Sequence, residues 1–481
     1  MEAQPKKQGR DTVIETKTDL AKKLKGIVRF DSAGYLAELS ESALSEGAID
    51  ELVGSYVFSE DATLKDALYH LIGAIAQRLG IWPASIQGLY EAMGRGECSG
   101  FTVPAMNLRG MTYDMARAAF RAAKRLNTKA FILEIAKSEI GYTFQRPAEY
   151  RTVLLAAAIK EGHKGPVFIQ GDHFQINAKN FAQDPQKEVQ GLKALAKEAL
   201  EAEFFNIDID ASTVVDLSKP THIEQQRNNY EIEAELVRHI RALEPKGVTV
   251  SVGGEIGEVG KVNSTPEDLI AFMDGLIKEL QTKGSLKEIS KISVQTGTSH
   301  GGVVLPDGTI AKVKLDFDVL QKLSKLSRER YGLAGAVQHG ASTLQDEAFD
   351  EFPKRGTAEI HLATGFQNLL LDHPKLPLDF QHELMSYMDK NFVNEKKPDE
   401  TQEQFYYKTR KKVFGPFKRA FWSLPKDFKG VFGKDLEDRF AFLFEKLGVR
   451  DRTGVVERYI TPIELERSPS KAALDILKTL S

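Results

Sequence analysis

Apolar residues return at intervals of three and four between Thr63 and Leu79 (Leu64, Ala67, Leu68, Leu71, Ile72 and Ile75), which predicts a helix with one buried face. The pattern resumes from Ile86 to Met93 after a break at Pro83, so the region up to residue 97 reads as helical. From Gly100 the texture changes. Short apolar runs alternate with amphipathic stretches, at Phe101–Ala105, Lys129–Ile135, Pro166–Gln170, Phe204–Ile209, Val248–Gly253, Ile289–Gln295, Leu333–Gln338 and Thr357–Leu362. This alternation belongs to a parallel sheet wrapped by helices, and eight units in roughly 260 residues match an α/β fold of the (β/α)8 TIM-barrel type. A doubly wound sheet would carry a glycine-rich phosphate turn after its first strand, where this chain reads Val103-Pro104-Ala105-Met106-Asn107.

The remaining organisation follows from composition along the chain. Residues 1–20 are charged and poor in large apolar groups, which predicts a mobile tail. An N-terminal helical region over 21–97, the barrel over 98–371 and a C-terminal helical extension over 372–481 complete the division. In the extension, Asn394–Gln404 reads as a surface loop. Tyr406–Trp422 interleaves Lys408, Arg410, Lys411, Lys412, Lys418 and Arg419 with Tyr407, Phe414, Phe417 and Phe421, which predicts an amphipathic helix with a solvated basic face.

Charge and cysteine content narrow the function classes. With 65 Lys and Arg against 68 Asp and Glu, the net charge of −3 supplies no field to draw in nucleic acid or an anionic membrane. A single cysteine, Cys98, allows neither an internal disulfide nor a thiolate-based zinc or iron–sulfur site. No membrane span or signal peptide is apparent, and the expected location is the cytoplasm.

In a barrel of this kind the chemistry lies where the strands end, and the polar residues gather there. The third run leads into Gly171-Asp172-His173, the fourth into Asp208-Ile209-Asp210-Ala211-Ser212, and the fifth into Gly253-Gly254-Glu255. The sixth leads into Gly297-Thr298-Ser299-His300-Gly301-Gly302 and the seventh into His339-Gly340-Ala341-Ser342-Thr343. Each of His173, His300 and His339 alone would read as an ordinary hydrogen-bonded histidine. Together, at three strand ends and near a carboxylate, they favour a catalytic metal site with an open position. Asp172 is placed either as general acid/base or as support for a ligand histidine, and Glu255 as an alternate ligand, a base or a capped loop carboxylate. The glycine-rich turns at Gly301 and Gly340 offer backbone N–H groups to an oxyanion. Val303–Leu305 and Ile310–Val313, joined by a tight turn, predict a small hairpin over the site.

These residues resemble the class II, metal-dependent fructose- and tagatose-bisphosphate aldolases over about residues 86–370. Phe101 to Asn107 resembles the family's first strand, Gly171-Asp172-His173 its acid/base aspartate and zinc ligand, and Ile209-Asp210-Ala211-Ser212 its strand-four motif. Gly254-Glu255-Ile256-Gly257, Ser299-His300-Gly301 and Val337 to Ser342 are similar to its remaining loops. The resemblance implies a lyase of carbohydrate metabolism, of the glycolytic type, that cleaves a phosphorylated ketose through a metal-bound enediolate. It implies zinc held by His173, His300 and His339, with Glu255 as an alternate ligand, and Asp172 taking the proton from the C4 hydroxyl. Asn107, Asp210, Ser212, Gly301, Gly340, Ser342, His361 and Thr364 are the implied substrate and phosphate contacts. A three-histidine site also accepts cobalt, manganese or iron, and a monovalent cation is a further cofactor the resemblance allows.

Three departures stand out. His361-Leu362-Ala363-Thr364 replaces the family's Asn-x-Asp-Thr, and Glu258 to Asn263 lacks the family's loop of adjacent acidic residues, leaving Glu258 as the candidate proton donor. The flanking helical segments resemble those of the larger tagatose-bisphosphate aldolase subunits. The same chemistry also suits a metal-dependent ketose epimerase, and loss of the loop carboxylate suits a non-catalytic partner subunit of an aldolase. The expected partners are a small sugar phosphate and further copies of the chain, as a homodimer or higher homo-oligomer, with no nucleic acid and no membrane.

Overall fold

The computed structural model describes residues 14–31, 34–257, 262–282, 284, 286–297, 305–307, 315–463, 465 and 468–480. Eight parallel strands form the centre: β1 Val103–Asn107, β2 Ile132–Ala136, β3 Gly165–Gln175, β4 Asn206–Asp210, β5 Ser251–Glu255, β6 Lys291–Val294, β7 Ala336–Gln338 and β8 Glu359–Leu362. Each pairs with the next and β8 pairs with β1, so the sheet closes into the expected (β/α)8 barrel. All eight apolar runs of the sequence overlap a barrel strand. Every residue of β1, β2, β4 and β5 is buried, because helices cover the sheet outside and side chains fill it inside.

The outer helices are α1 Thr112–Arg125, α2 Pro147–Lys160, α3 Pro185–Glu201, α4 Arg227–Leu243, α5 Pro266–Gln281, α6 Phe317–Tyr331, α7 Glu351–Lys354 and α8 Thr364–Leu371. Local chemistry sets their ends. Thr265 and Asp268 cap the start of α5 reciprocally and Pro266 takes its first position, where a missing N–H costs nothing. Gly332, at φ +68°, ends α6 in the left-handed conformation.

The flanking segments depart from expectation in four places, the first being an antiparallel pair of short strands, Val28–Phe30 and Leu36–Leu39, in the region read as helical. Within the segment expected to be a mobile tail, residues 14–20 pack instead: Thr16 caps a helix over Lys17–Leu24, and Ile14, Leu20 and Leu24 are buried. Pro83 breaks the helical pattern because Ile81–Ala84 is a ninth strand, paired in parallel with the start of β3 at a sheet edge where proline's missing donor is tolerated. Buried Asn206 seals that junction, donating to the carbonyls of Ala84 and Ile169 and accepting from the Ile86 amide at 2.8 Å. Finally, Tyr406–Trp422 is not one helix. Helices Gln402–Thr409 and Lys418–Trp422 flank a 3-10 turn at Arg410–Val413, since Gly415 and Pro416 interrupt the pattern. Most of its basic residues are paired rather than solvated, Arg410 with Asp372, Lys412 with Glu395 and Lys418 with Glu149.

Further along, the helix Lys426–Lys446 lies against α1, where Arg121 and Arg125 reach Glu437 at 2.8 and 3.0 Å. Among the described residues no helix is long and apolar enough to cross a membrane.

The barrel interior is unusually charged for a position that branched aliphatic side chains normally fill. Lys291, with 1% of its side chain exposed, donates to Gln170 at 2.8 Å and sits 2.9 Å from Asp208 and 2.5 Å from Glu359. Tyr90, from the helix Gln87–Gly94, closes the floor and donates to the other oxygen of Glu359. Replacing Lys291 with Met is expected to destabilise the fold by about 3–5 kcal/mol in urea unfolding, because two buried carboxylates lose their counter-charge. A change below about 1 kcal/mol would show that the cluster relaxes by taking up protons instead.

Candidate active site

The C-terminal ends of the strands carry a compact group of imidazoles and carboxylates. Asp172 and His173 reach it through an irregularity in β3: the register with β4 slips between Gly171 and Phe174, and His173 adopts φ +42°. A bulge of this kind turns successive side chains away from the normal alternation, and a non-glycine residue in the left-handed region is a cost held in place by its surroundings. Gly171 permits the arrangement, since a Cβ there would lie 2.6 Å from the Phe174 ring.

Around this bend three imidazoles form a row. The His173 and His339 rings have centroids 4.2 Å apart, and His339 and His361 are 4.0 Å apart. Glu255 stands between the first two, with Oε2 3.5 Å from His173 Nδ1 and 3.9 Å from His339 Nε2. His339 Nε2 also meets Ser293 Oγ at 2.9 Å, which orients its ring. Asp172 Oδ1 lies 3.2 Å from His361 Nδ1, and His361 Nε2 lies 2.7 Å from Glu359. Asp210 approaches His173 Nδ1 at 3.6 Å and accepts from Ser212 Oγ at 2.7 Å, so Ser212 holds Asp210.

Carboxylates outnumber fixed cations here, and the titrating groups respond. Burial works against protonated His173 and His361, yet Asp172, Asp210 and Glu255 around the first, and Glu134 and Asp172 around the second, raise both well above the usual histidine range. Burial lifts Glu134, helped by the nearby charge of Asp172. Asp210 stays below the ordinary carboxylate range: burial pushes it up, but hydrogen bonds and charge from His173, and hydrogen bonds from Ser212 and Gln175, outweigh that.

The donor set suits a divalent cation. One ligand atom each from His173, Glu255 and His339 lie within 4.8 Å of one another, as do those of Asp172, His339 and His361, and those of Glu134, Glu359 and His361. Neither ring nitrogen of His361 makes a well-aligned hydrogen bond, and a buried oxygen of Asp208 also lacks one. Nitrogen and carboxylate donors without thiolates are the chemistry of zinc and its first-row neighbours.

The sequence-predicted residues therefore divide into groups. Asp172, His173, Glu255 and His339 come together, with Asp210 and Ser212 beside them. His361, expected at the substrate, stands instead in the imidazole row. Asn107 is buried and donates to Glu139. Gly340, at φ +68°, opens the 3-10 turn Ala341–Thr343, and the Ser342 carbonyl would lie only 2.6 Å from a Cβ on Gly365, so this turn abuts the start of α8 at Thr364. Glu258, His300, Gly301 and the predicted hairpin lie outside the described residues, apart from 305–307. The sequence reading passed over Glu134, Lys291 and Glu359, whose signal was a charge in the middle of an apolar run, and gave no role to Asp208, which it placed at the fourth strand end. It also passed over Glu233 on α4, buried with neither oxygen hydrogen-bonded among the described residues and raised well above the ordinary carboxylate range first by burial and then by the charges of Asp210, Asp208 and Glu255.

A barrel whose strand ends present this donor set defines the class of protein, and comparison places the chain within it. Residues 89–418 match the family model of class-II fructose-bisphosphate aldolase, and the chain belongs to that family. No curated protein matches it in sequence. Among solved structures it resembles a probable tagatose 6 phosphate kinase from Sinorhizobium meliloti, at 15% identity over 79% of this chain and 97% of that one, with a TM-score of 0.50. It also resembles the fructuronate-tagaturonate epimerase UxaE from Cohnella laeviribosi, at 11% identity over 73% and 82% of the two chains, again with a TM-score of 0.50. A fructose-bisphosphate aldolase from Campylobacter jejuni matches at 20% identity over 77% of this chain and 97% of that one, with a TM-score of 0.45. At these identities the likeness is one of fold.

Proposed function

We propose that this protein is a zinc-dependent aldehyde-lyase that reversibly cleaves a phosphorylated ketose. The observation that carries the reading is the meeting of His173, His339 and Glu255, with Asp172 alongside, at the C-terminal mouth of a barrel of the class II family. His173, His339 and Glu255 would hold the ion, with His300 the further ligand that the sequence indicates. When bound, the ion supplies Lewis acidity at the ketose carbonyl.

The chain's own groups do the rest. Asp172 takes the proton of the C4 hydroxyl as the C3–C4 bond breaks and returns it in the reverse direction. His361 positions Asp172 from the far side, 3.2 Å away, in place of an amide that would contact substrate. Gly340, Ser342 and Thr364 offer backbone N–H groups and hydroxyls to a phosphate at the β7 and β8 ends. Asn107, at the end of β1, has a buried Oδ1 with no hydrogen-bond partner among the described residues and is a further candidate substrate contact.

Elemental analysis followed by product detection with fructose and tagatose mono- and bisphosphates, before and after chelation, tests the reading. Stoichiometric zinc with chelator-sensitive triose formation is the expected result. Interconversion of ketoses without triose release would replace the aldolase with an epimerase, and a metal-free, inactive protein would leave a partner subunit.

A further inference from the structure

A cavity of about 210 Å³ lies at the end of the barrel opposite the imidazole row. The ninth strand Ile81–Ala84, paired with the start of β3, forms one side of it, and the helix Gln87–Gly94 that follows forms another. Phe205 and Val248, which precede β4 and β5, and the segment from Tyr459 to Thr461 complete the lining. Gly88 lets that segment lie directly on the helix, since a Cβ there would collide with the Tyr459 carbonyl. These elements all meet at the N-terminal ends of the barrel strands, so the cavity is distinct from the candidate active site at the C-terminal ends.

Two polar groups of this lining lack a counterpart in the protein. Gln87 is only 5% exposed, and its Nε2 donates to Glu91 Oε1 at 3.0 Å. A carboxylate accepts and does not donate, so this contact fixes which way the amide is turned and leaves its carbonyl to face elsewhere. That carbonyl, Oε1, is buried and has no hydrogen-bond partner among the described residues. The indole Nε1 of Trp82, a donor with no accepting capacity, is buried and equally without one. Buried polar groups are nearly always paired, so an open acceptor and an open donor on residues of one lining call for a molecule that carries the complementary pair. Glu91 is the one charged group among the described lining residues, and Lys287, at 3.0 Å, already balances it. An uncharged occupant therefore suits the cavity, because an ion would be desolvated there without a partner.

We propose that this cavity binds a planar, uncharged nitrogen heterocycle of two fused rings whose edge presents a hydrogen-bond donor beside an acceptor, as purine bases do. The Trp82 N–H donates to the ligand's acceptor, and the ligand's N–H donates to Gln87 Oε1. The aromatic residues Trp82, Phe205 and Tyr459, with Val248 and Ile460, supply the apolar surface that flat rings pack against. The size agrees, since the cavity equals about seven waters at about 30 Å³ each, room for a bicycle of about ten non-hydrogen atoms. This site is independent of the aldolase reading, because none of its residues belongs to the imidazole row or its carboxylates.

Isothermal titration of the full-length protein with adenine, hypoxanthine and indole tests the proposal. Adenine or hypoxanthine is expected to bind at one site per chain, and indole, which has a donor but no acceptor, about tenfold more weakly. Gln87→Met keeps the length of the side chain but removes the acceptor, and is expected to weaken the preferred base by about tenfold. Thr249 is an exposed residue of the lining, so Thr249→Phe fills the cavity without disturbing the core and is expected to abolish binding. The chain has two tryptophans, and in Trp422→Phe the remaining emission comes from Trp82; saturable quenching with the calorimetric affinity places the ligand beside it. Adenosine monophosphate as a further probe separates the sources: affinity like that of adenine marks the base of a nucleotide, and weaker binding marks the free base. No binding of either base to the native chain overturns the site. Native affinity in both Gln87→Met and Thr249→Phe, indole binding as tightly as the bases, or binding heat without a change in Trp82 emission does the same.

Discussion

Replacing His339 with Ala is expected to reduce bound metal from about one equivalent to near none and to lower turnover to that of the chelated native protein. His339 sits between His173 and His361, and its Nε2 faces both Glu255 and Ser293, so no neighbouring nitrogen can take its place without moving the row. Losing one of few neutral donors leaves the surrounding carboxylates to bind protons rather than a divalent ion, because ligand binding and proton release are linked. Elemental analysis of the purified variant reads the first effect, and triose release the second. His300→Ala is expected to behave in the same way. A His339→Ala protein that keeps its metal and its rate would remove this histidine from the ligand set and shift the centre toward Glu134, Glu359 and His361.

Asp172→Asn should separate metal binding from chemistry. The amide keeps the shape of the side chain beside His361 but cannot accept a proton, so metal content is expected to stay at the native level while kcat falls by about 10² to 10⁴. The matching comparison is His361→Asn, which removes the imidazole facing Asp172 together with its contact to Glu359. It is expected to cost less in kcat and to displace the pH profile, because the titratable imidazole facing Asp172 at 3.2 Å has gone. Full activity in Asp172→Asn would return this residue to the role of holding its histidine neighbours.

The two effects bear differently on the alternatives. An epimerase needs the same metal and the same carboxylate, so both variants would lose ketose interconversion as well. A non-catalytic subunit would show no rate in the native form or in either variant, whatever its metal content. The ketose products, rather than the variants, therefore discriminate between lyase and epimerase.

The sequence by itself determined the architecture and much of the candidate centre. Eight apolar runs with helical spacers dictate a barrel because each parallel strand is buried on both faces and needs a crossover helix to reach the next. Polar residues that follow those runs must stand at one mouth, so Asp172, His173, Glu255 and His339 could be grouped from strand ends alone. What strand ends cannot reveal is a contact made across the barrel. The charges inside the apolar runs, Glu134, Asp208, Lys291 and Glu359, became a connected cluster only when opposite strands faced each other. His361 likewise joined the imidazole row because the pairing of β8 with β7 sets it beside His339. Phe414 lies some three hundred residues from Gly110 in sequence, and no periodicity relates them, yet the ring packs where a Cβ on Gly110 would stand. Local pattern is set by neighbours along the chain, whereas the charge balance of a site depends on every group that folding brings within a few ångströms, and that only the tertiary structure decided.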